Sequence, residues 1–164
     1  NGLVNLLRSV PFLILMIIVI PLSRAIVGTS IGTVASIVPL VIASFPFVSR
    51  LVETSMREVD AGVIEAAQSM GATPLQIITK VMVPESMPSL VANVTIAATT
   101  IMGYGAMAGI IGGGGLGKIA INYGYYRFNV VLEFFATALL VVLVQILQTD
   151  GTKLAIKCDK RIQK

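Results

Sequence analysis

Four stretches of the chain carry no charged residue: 9–23, 25–49, 86–117 and 134–149. A helix that crosses the hydrocarbon core of a bilayer needs roughly 20 largely apolar residues. The pattern therefore predicts four spans, at about residues 10–27, 34–52, 88–112 and 128–149. A soluble helix would keep a polar face, and residues 10–20 have none. Arg24 and Glu133 fall near the ends of their spans, where a side chain, Arg above all, reaches the headgroups along its alkyl stem. The expected fold class is all-α, a polytopic bundle of membrane helices.

The polar positions between these spans predict the connections. Seven charges punctuate residues 53–85, which still carry apolar residues at helical spacing. Asp60 can cap a short helix whose stripe is Val63, Ile64, Ala67 and Met70, and Gly71 supplies a left-handed stop. Thr73-Pro74-Leu75-Gln76 follows at once, with a capping hydroxyl, proline at the first helical position and Gln at the third, a capping-box pattern. The second short helix is expected to run through Ile77, Ile78, Val81 and Met82 to Pro84, with Pro88 opening the third span near Ser89. Residues 28–33 form a tight connection, Pro21 predicts a kink in the first span, and Pro39 and Pro46 lie inside the second. Residues 118–127 form the last connection and 153–164 a basic tail.

Composition agrees with lipid as the solvent: 55% of residues are apolar and 12% charged. If the charged loop is cytoplasmic, Arg8, Arg50, Arg57, Lys80, Lys153, Lys157, Lys160, Arg161 and Lys164 lie inside, nine of twelve, with Arg24, Lys118 and Arg127 outside. That satisfies the positive-inside bias. The formal charge of +4 thus reads as topology and no nucleic acid partner is expected, since there is no Trp or His and aromatics sit beside a basic residue mainly at Tyr125-Tyr126-Arg127. Cys158 is the only cysteine, which excludes an intrachain disulfide or a multi-cysteine metal site. With no His and no nucleophile beside an evident base, no catalytic or metal-binding residues are assigned, and Glu133 and Asp150 read as interfacial anchors. The start, Asn1-Gly2, and the first span do not resemble a cleaved signal peptide and read as an internal start.

The most informative stretch is Glu65-Ala66-Ala67-Gln68-Ser69-Met70-Gly71, followed after nine residues by Val81-Met82-Val83-Pro84. It resembles the EAA signature of ABC importer permeases, E-A-A, three residues, G, nine residues, I-x-L-P, with Val replacing the Ile and the Leu. On the residues alone, Ala66 and Ala67 keep one helix face slim, Gly71 permits a sharp turn, and Glu65 can accept hydrogen bonds that fix the bend. A plain amphipathic interfacial helix is the alternative. The resemblance implies a coupling helix pair, with Glu65, Ala66, Ala67, Gly71 and Pro84 carrying the coupling to an ATPase.

Over nearly its whole length the chain is similar to the methionine-type permeases, through GTSIG at 28–32, EAAQSMGATPLQI at 65–77 and the glycine segments GYGAMAG and GGGGLG. The resemblance implies one transmembrane domain over residues 1–164 in a bacterial inner membrane, in a family that normally has five spans, so one N-terminal helix is expected to be missing. It further implies a homodimer, two cytoplasmic ATPase subunits that bind ATP and Mg, an extracytoplasmic methionine-binding lipoprotein, and import of L- and D-methionine. No cofactor and no enzymatic activity are then expected on this chain. Rival readings are a permease for another small solute, a secondary transporter or channel, and a purely structural membrane subunit.

Gly105, Gly109, Gly113 and Gly117 recur every fourth residue, the spacing of a close helix-packing seam, while residues 112–115 are equally suited to an irregular turn. Residues 112–118 fit the first seven positions of a P-loop, but Ile119 stands where the magnesium-binding hydroxyl belongs and no strand is expected before the glycines. Residues 99–105 are similar to a potassium-channel filter with one residue too many, inside an uninterrupted apolar stretch. Met107, set among glycines, is a candidate gate, whereas Met102 reads as core.

Overall fold

The computed structural model describes residues 9–159. Arg8, Lys160, Arg161 and Lys164, counted above for orientation, lie outside that range. The described residues are helical apart from short turns. We label the helices α1 (Phe12–Val27), α2 (Thr33–Arg57), α3 (Ala61–Ser69), α4 (Pro74–Ile111), α5 (Leu116–Lys118, continued by a π-helical stretch Ile119–Tyr125) and α6 (Val130–Cys158). Helices α2, α4 and α6, of 25, 38 and 29 residues, are long and apolar enough to cross a membrane. Helix α1, at the first expected span, has 16 residues, or about 24 Å at 1.5 Å per residue against a hydrocarbon core of about 30 Å.

Several boundaries differ from expectation. Helix α2 continues past residue 52 to Arg57, carried by Glu53, which accepts from Arg50 at 2.7 Å and from Arg57 at 2.8 Å, pairs one turn apart on an exposed face. Helix α6 begins at Val130 and runs to Cys158, so the described part of the basic tail is helix. The second short helix and the third span are one element, because α4 runs through both Pro84 and Pro88. A proline inside a helix clashes with the carbonyl four residues back. Here the turn before Pro84 widens into a π-helix, Ile77–Met82, in which the Val83 N–H reaches back five residues to the Ile78 carbonyl. A π-turn adds one residue to the turn and gives the ring room.

The chain divides into two compact units, Asn1–Phe47 with Ala98–Leu147, and Val48–Ala97 with Gln148–Lys164. In the first, α1 buries Leu15, Met16, Val19 and Ser23 along one face and leaves Ile14, Ile17, Ile18, Leu22 and Ile26 exposed. Phe12 stacks on Tyr104 of α4 at 4.4 Å between ring centres. The Ser23 and Ser36 hydroxyls donate to carbonyls of their own helices, which satisfies them without water. Up to Ser23 and Arg24 near its end, both faces of α1 are apolar, as they must be when the solvent is hydrocarbon. In the second unit, Val59, Ala67, Ile77 and Ala97 supply the buried apolar side chains and Ser55, Ser86 and Thr95 the buried polar ones.

Candidate functional site

The loop between α2 and α4 is built by its caps. The Asp60 carboxylate accepts from the Gly62 N–H at 2.7 Å and starts α3. After Met70 the chain turns through Gly71, at φ +77°, and the Ala72 N–H returns to the Ala67 carbonyl. The reciprocal capping box is present: the Thr73 N–H donates to Gln76 Oε1 at 2.9 Å and the Gln76 N–H to Thr73 Oγ1 at 3.4 Å. Helix α3 packs on the π-helical start of α4, and Ala67 and Ile77 are the residues these two segments bury. Thr73→Ala is expected to cost about 1 kcal/mol at this cap and to speed amide exchange over residues 74–77; exchange at the wild-type rate would remove the cap from the account.

Of the residues assigned to coupling, Glu65, Ala66, Gly71 and Pro84 are exposed and Ala67 is buried. Ala67 is thus the slim residue that lets α3 lie close to α4. The stripe of α3 is only half used inside the unit: Met70 is 82% exposed, and Leu75 beyond the turn 71%. With Val63 and Ile78 also open, the helix–turn–helix presents apolar surface outside the charge-free stretches of the sequence. Surface of that kind marks a contact with another protein or with the membrane.

Directly beside it lies a polar contact that the hydrophobic pattern did not single out. Ser55 of α2 has no exposed surface, and its hydroxyl donates to the Leu51 carbonyl at 3.1 Å. The same oxygen accepts from Asn93 Nδ2 at 2.7 Å and from the Ser89 hydroxyl at 3.4 Å, both on α4. Asn93 Nδ2 also lies 3.4 Å from the Leu51 carbonyl, and Ser86 donates to the Met56 sulfur at 3.5 Å. The signal was present as Ser86, Ser89 and Asn93, polar residues at i, i+3 and i+7 in an apolar run.

In the first unit the glycine series takes a form of its own. Helix α4 tightens into a 3₁₀ turn at Ala108–Ile111 and stops at Gly112, φ +80°, so the four glycines do not share one helix face. A Cβ on Gly105 would meet nothing within 4 Å. One on Gly109 would lie 2.6 Å from the Lys118 N and 2.7 Å from the Gly117 carbonyl carbon, and one on Gly117 would overlap the Ala106 backbone. Gly109 and Gly117 therefore let the end of α4 and the first turn of α5 meet backbone to backbone. The Gly114 N–H donates to Thr33 Oγ1 at 3.1 Å, tying the turn to the start of α2. Beside it is a cavity of about 380 Å³ whose lining includes Ile37, Leu40, Met102, Ala106, Leu140 and Leu143. Met102 lines it and Met107, which is exposed, does not.

Both misleading motifs fail on geometry. The P-loop-like glycines follow helix α4 where a P-loop needs a strand, and the filter-like residues 99–105 are interior to α4, so their carbonyls serve the helix.

Comparison with known proteins agrees with this architecture. The profile of the family described as "Binding-protein-dependent transport system inner membrane component" matches residues 1–151. The chain is 53% identical over 161 residues to a Vibrio cholerae protein named "Probable D-methionine transport system permease protein MetI", covering 98% of this chain and 72% of that one. It is 47% identical over 160 residues to the Bacillus subtilis "Methionine import system permease protein MetP", covering 98% and 72%. Among solved structures, it is similar to a chain of "Inward facing conformations of the MetNI methionine ABC transporter", with a TM-score of 0.93 and 45% identity over 97% of this chain and 74% of that one.

Proposed function

Because this chain belongs to the family of binding-protein-dependent transport system inner-membrane components, we propose that it is the permease subunit of an ATP-driven methionine importer. The substrate, methionine in its L and D forms, rests on the names of the relatives. The observation that carries the reading is the capped α3–turn–α4 element with Met70 and Leu75 turned outward. It lies in the segment that matches the EAA pattern and on the side where the cations of the sequence concentrate.

On this reading the chain is multi-pass in the inner membrane, a single transmembrane domain over 1–164 with α1 as a fourth, short crossing and lipid around its apolar faces. Two copies pair around the solute path. Two cytoplasmic ATPase subunits, which take the ATP and Mg2+, hold the α3–α4 elements of the pair, and a methionine-binding lipoprotein delivers the solute from outside. Glu65, Ala66 and Gly71 face the ATPase, Ala67 sets the spacing of α3 on α4, and Pro84 holds the π-turn that joins the element to its span. When the ATPase pair closes on ATP, the bundle changes state because its two states contact those subunits differently. This chain needs no catalytic residue for that cycle. Gly109, Gly113 and Gly117 pack the end of α4, where a Cβ would meet backbone, Gly105 lies on an open face, and Met107 stands as a gate.

The test is reconstitution. The chain purified with its ATPase subunits and placed in liposomes is expected to take up labelled methionine only with ATP and the binding protein present. Uptake without an ATPase would favour a secondary transporter, and ATP-driven uptake of another solute would change the cargo alone. In the same assay Met107→Ala is expected to alter uptake or basal ATP hydrolysis by severalfold; unchanged values for both would remove the gate.

A further inference from the structure

We propose that Ser55 and Asn93 form a clamp that makes α2 and α4 move as one body when the α3 element is displaced, so that Asn93 is a positioning residue for transport. The inference rests on the permease reading above. Helix α3 is joined to α2 through residues 58–60 and to α4 through residues 70–73. A push on α3 therefore arrives at two helix ends, and without a tie between them they can respond separately.

The tie is well defined. The Ser55 hydroxyl has one donor and two acceptor positions, and all three are used: the donor on the Leu51 carbonyl, the acceptors by Asn93 and Ser89. Helix α2 contributes residues 51, 55 and 56 to these contacts and α4 contributes 86, 89 and 93, so the clamp follows one stripe on each helix. Around it the helices are closely fitted, because the void lined by Val48, Leu51, Val52, Leu90, Asn93, Val94 and Ala97 is about 10 Å³, room for about one water at most. Hydrogen bonds of this kind hold membrane helices where apolar packing alone would let them slide.

The experiment uses the complete complex of permease, ATPase and binding protein in proteoliposomes and reads methionine imported per ATP hydrolysed. That ratio does not depend on how much protein folds, so a variant that merely destabilises the chain leaves it unchanged. Asn93→Leu removes the bond to Ser55, the shortest of the tie, and the one to Leu51, and leaves the longer Ser89–Ser55 and Ser86–Met56 contacts between the helices, while Ser55 keeps its bond to Leu51. It is expected to lower the ratio about fivefold, with ATP hydrolysis within about twofold of wild type. Ser55→Ala should act in the same direction, and the double variant should fall short of the product of the two single effects, since the two share the Asn93–Ser55 bond.

Rescue is the second arm. In a Cys158→Ser background, Val52→Cys and Val94→Cys place thiols on the two helices beside the clamp. Joining them with a short bis-methanethiosulfonate reagent should restore the ratio in Asn93→Leu, and dithiothreitol should abolish the rescue. Normal wild-type import with an unchanged ratio in Asn93→Leu overturns the clamp alone. Failure of the wild-type complex to import methionine overturns the functional reading, and the clamp falls with it.

Discussion

Gly71→Asp is expected to leave the protein in the membrane at near-normal abundance and to lower methionine uptake by about tenfold or more. The two effects separate because of where the residue sits. Gly71 is at φ +77° and a Cβ there would meet nothing within 4 Å, so the substitution clashes with no atom of the chain. Its internal cost is the left-handed conformation, about 1 kcal/mol for an L-residue and less for Asp or Asn, whose short polar side chains bond locally. A docked partner changes this, because a carboxylate covered without a pairing cation costs several kcal/mol. Gly71→Asn is the control, with the same backbone demand and nearly the same size but no charge, and it should retain most of the uptake. Membrane abundance by immunoblot, co-purification of the ATPase and uptake of labelled methionine read the three quantities separately. Wild-type uptake in Gly71→Asp would remove this turn from the docking surface.

The parts of this element that could be read from sequence are those decided within one or two turns of chain. Asp60, Thr73 with Gln76, and Gly71 each act on backbone groups no more than five residues away, and each performs its expected role. Gly112 likewise stops α4, as the glycine run implied. Where the reading went astray, a local signal was outweighed by something wider. Pro84 and Pro88 carry the marks of a helix boundary, yet the π-turn at Ile77–Met82 gives the Pro84 ring room and α4 continues through Pro88 as well. Glu53 marked the start of the charged loop, but a helix need not stop where it leaves lipid, and the pairing of Glu53 with Arg50 and Arg57 extends it instead.

The glycine series shows the same division between local and distant causes. Its period of four was visible, but which glycines meet a neighbour was not, since that depends on α5 folding back against the end of α4. The Ser55–Asn93 contact was harder still, because its partners are 38 residues apart. A lone Ser near the end of an apolar helix usually bonds its own carbonyl, and Ser55 does so as well. Only the neighbouring helix reveals that the same oxygen has a second use.

Gly117→Val is expected to be the most damaging single change to the fold of this chain. A Cβ at Gly117 would lie 2.5 Å from the Ala106 Cα and 2.7 Å from its carbonyl carbon, with the carbonyl oxygen nearer still. These are backbone atoms of a helix, so relief requires α4 and α5 to separate, whereas a side chain could rotate away. Separation would also pull Gly109 from the backbone at residues 117–118 and open both sides of a contact that has no side chains to refill it. Overpacking that forces backbone apart costs about 3 kcal/mol or more. The expected result is a large loss of protein from the membrane and a fall of about 5 °C or more in the melting temperature of whatever is purified in detergent. Gly105→Ala provides the contrast, because its Cβ meets open space and alanine favours helix; its melting temperature should equal or exceed wild type. If Gly117→Val accumulates and melts like wild type, the backbone contact between α4 and α5 is not what holds the end of this helix. If Gly105→Ala proves the more damaging of the two, the glycines serve a contact with another chain.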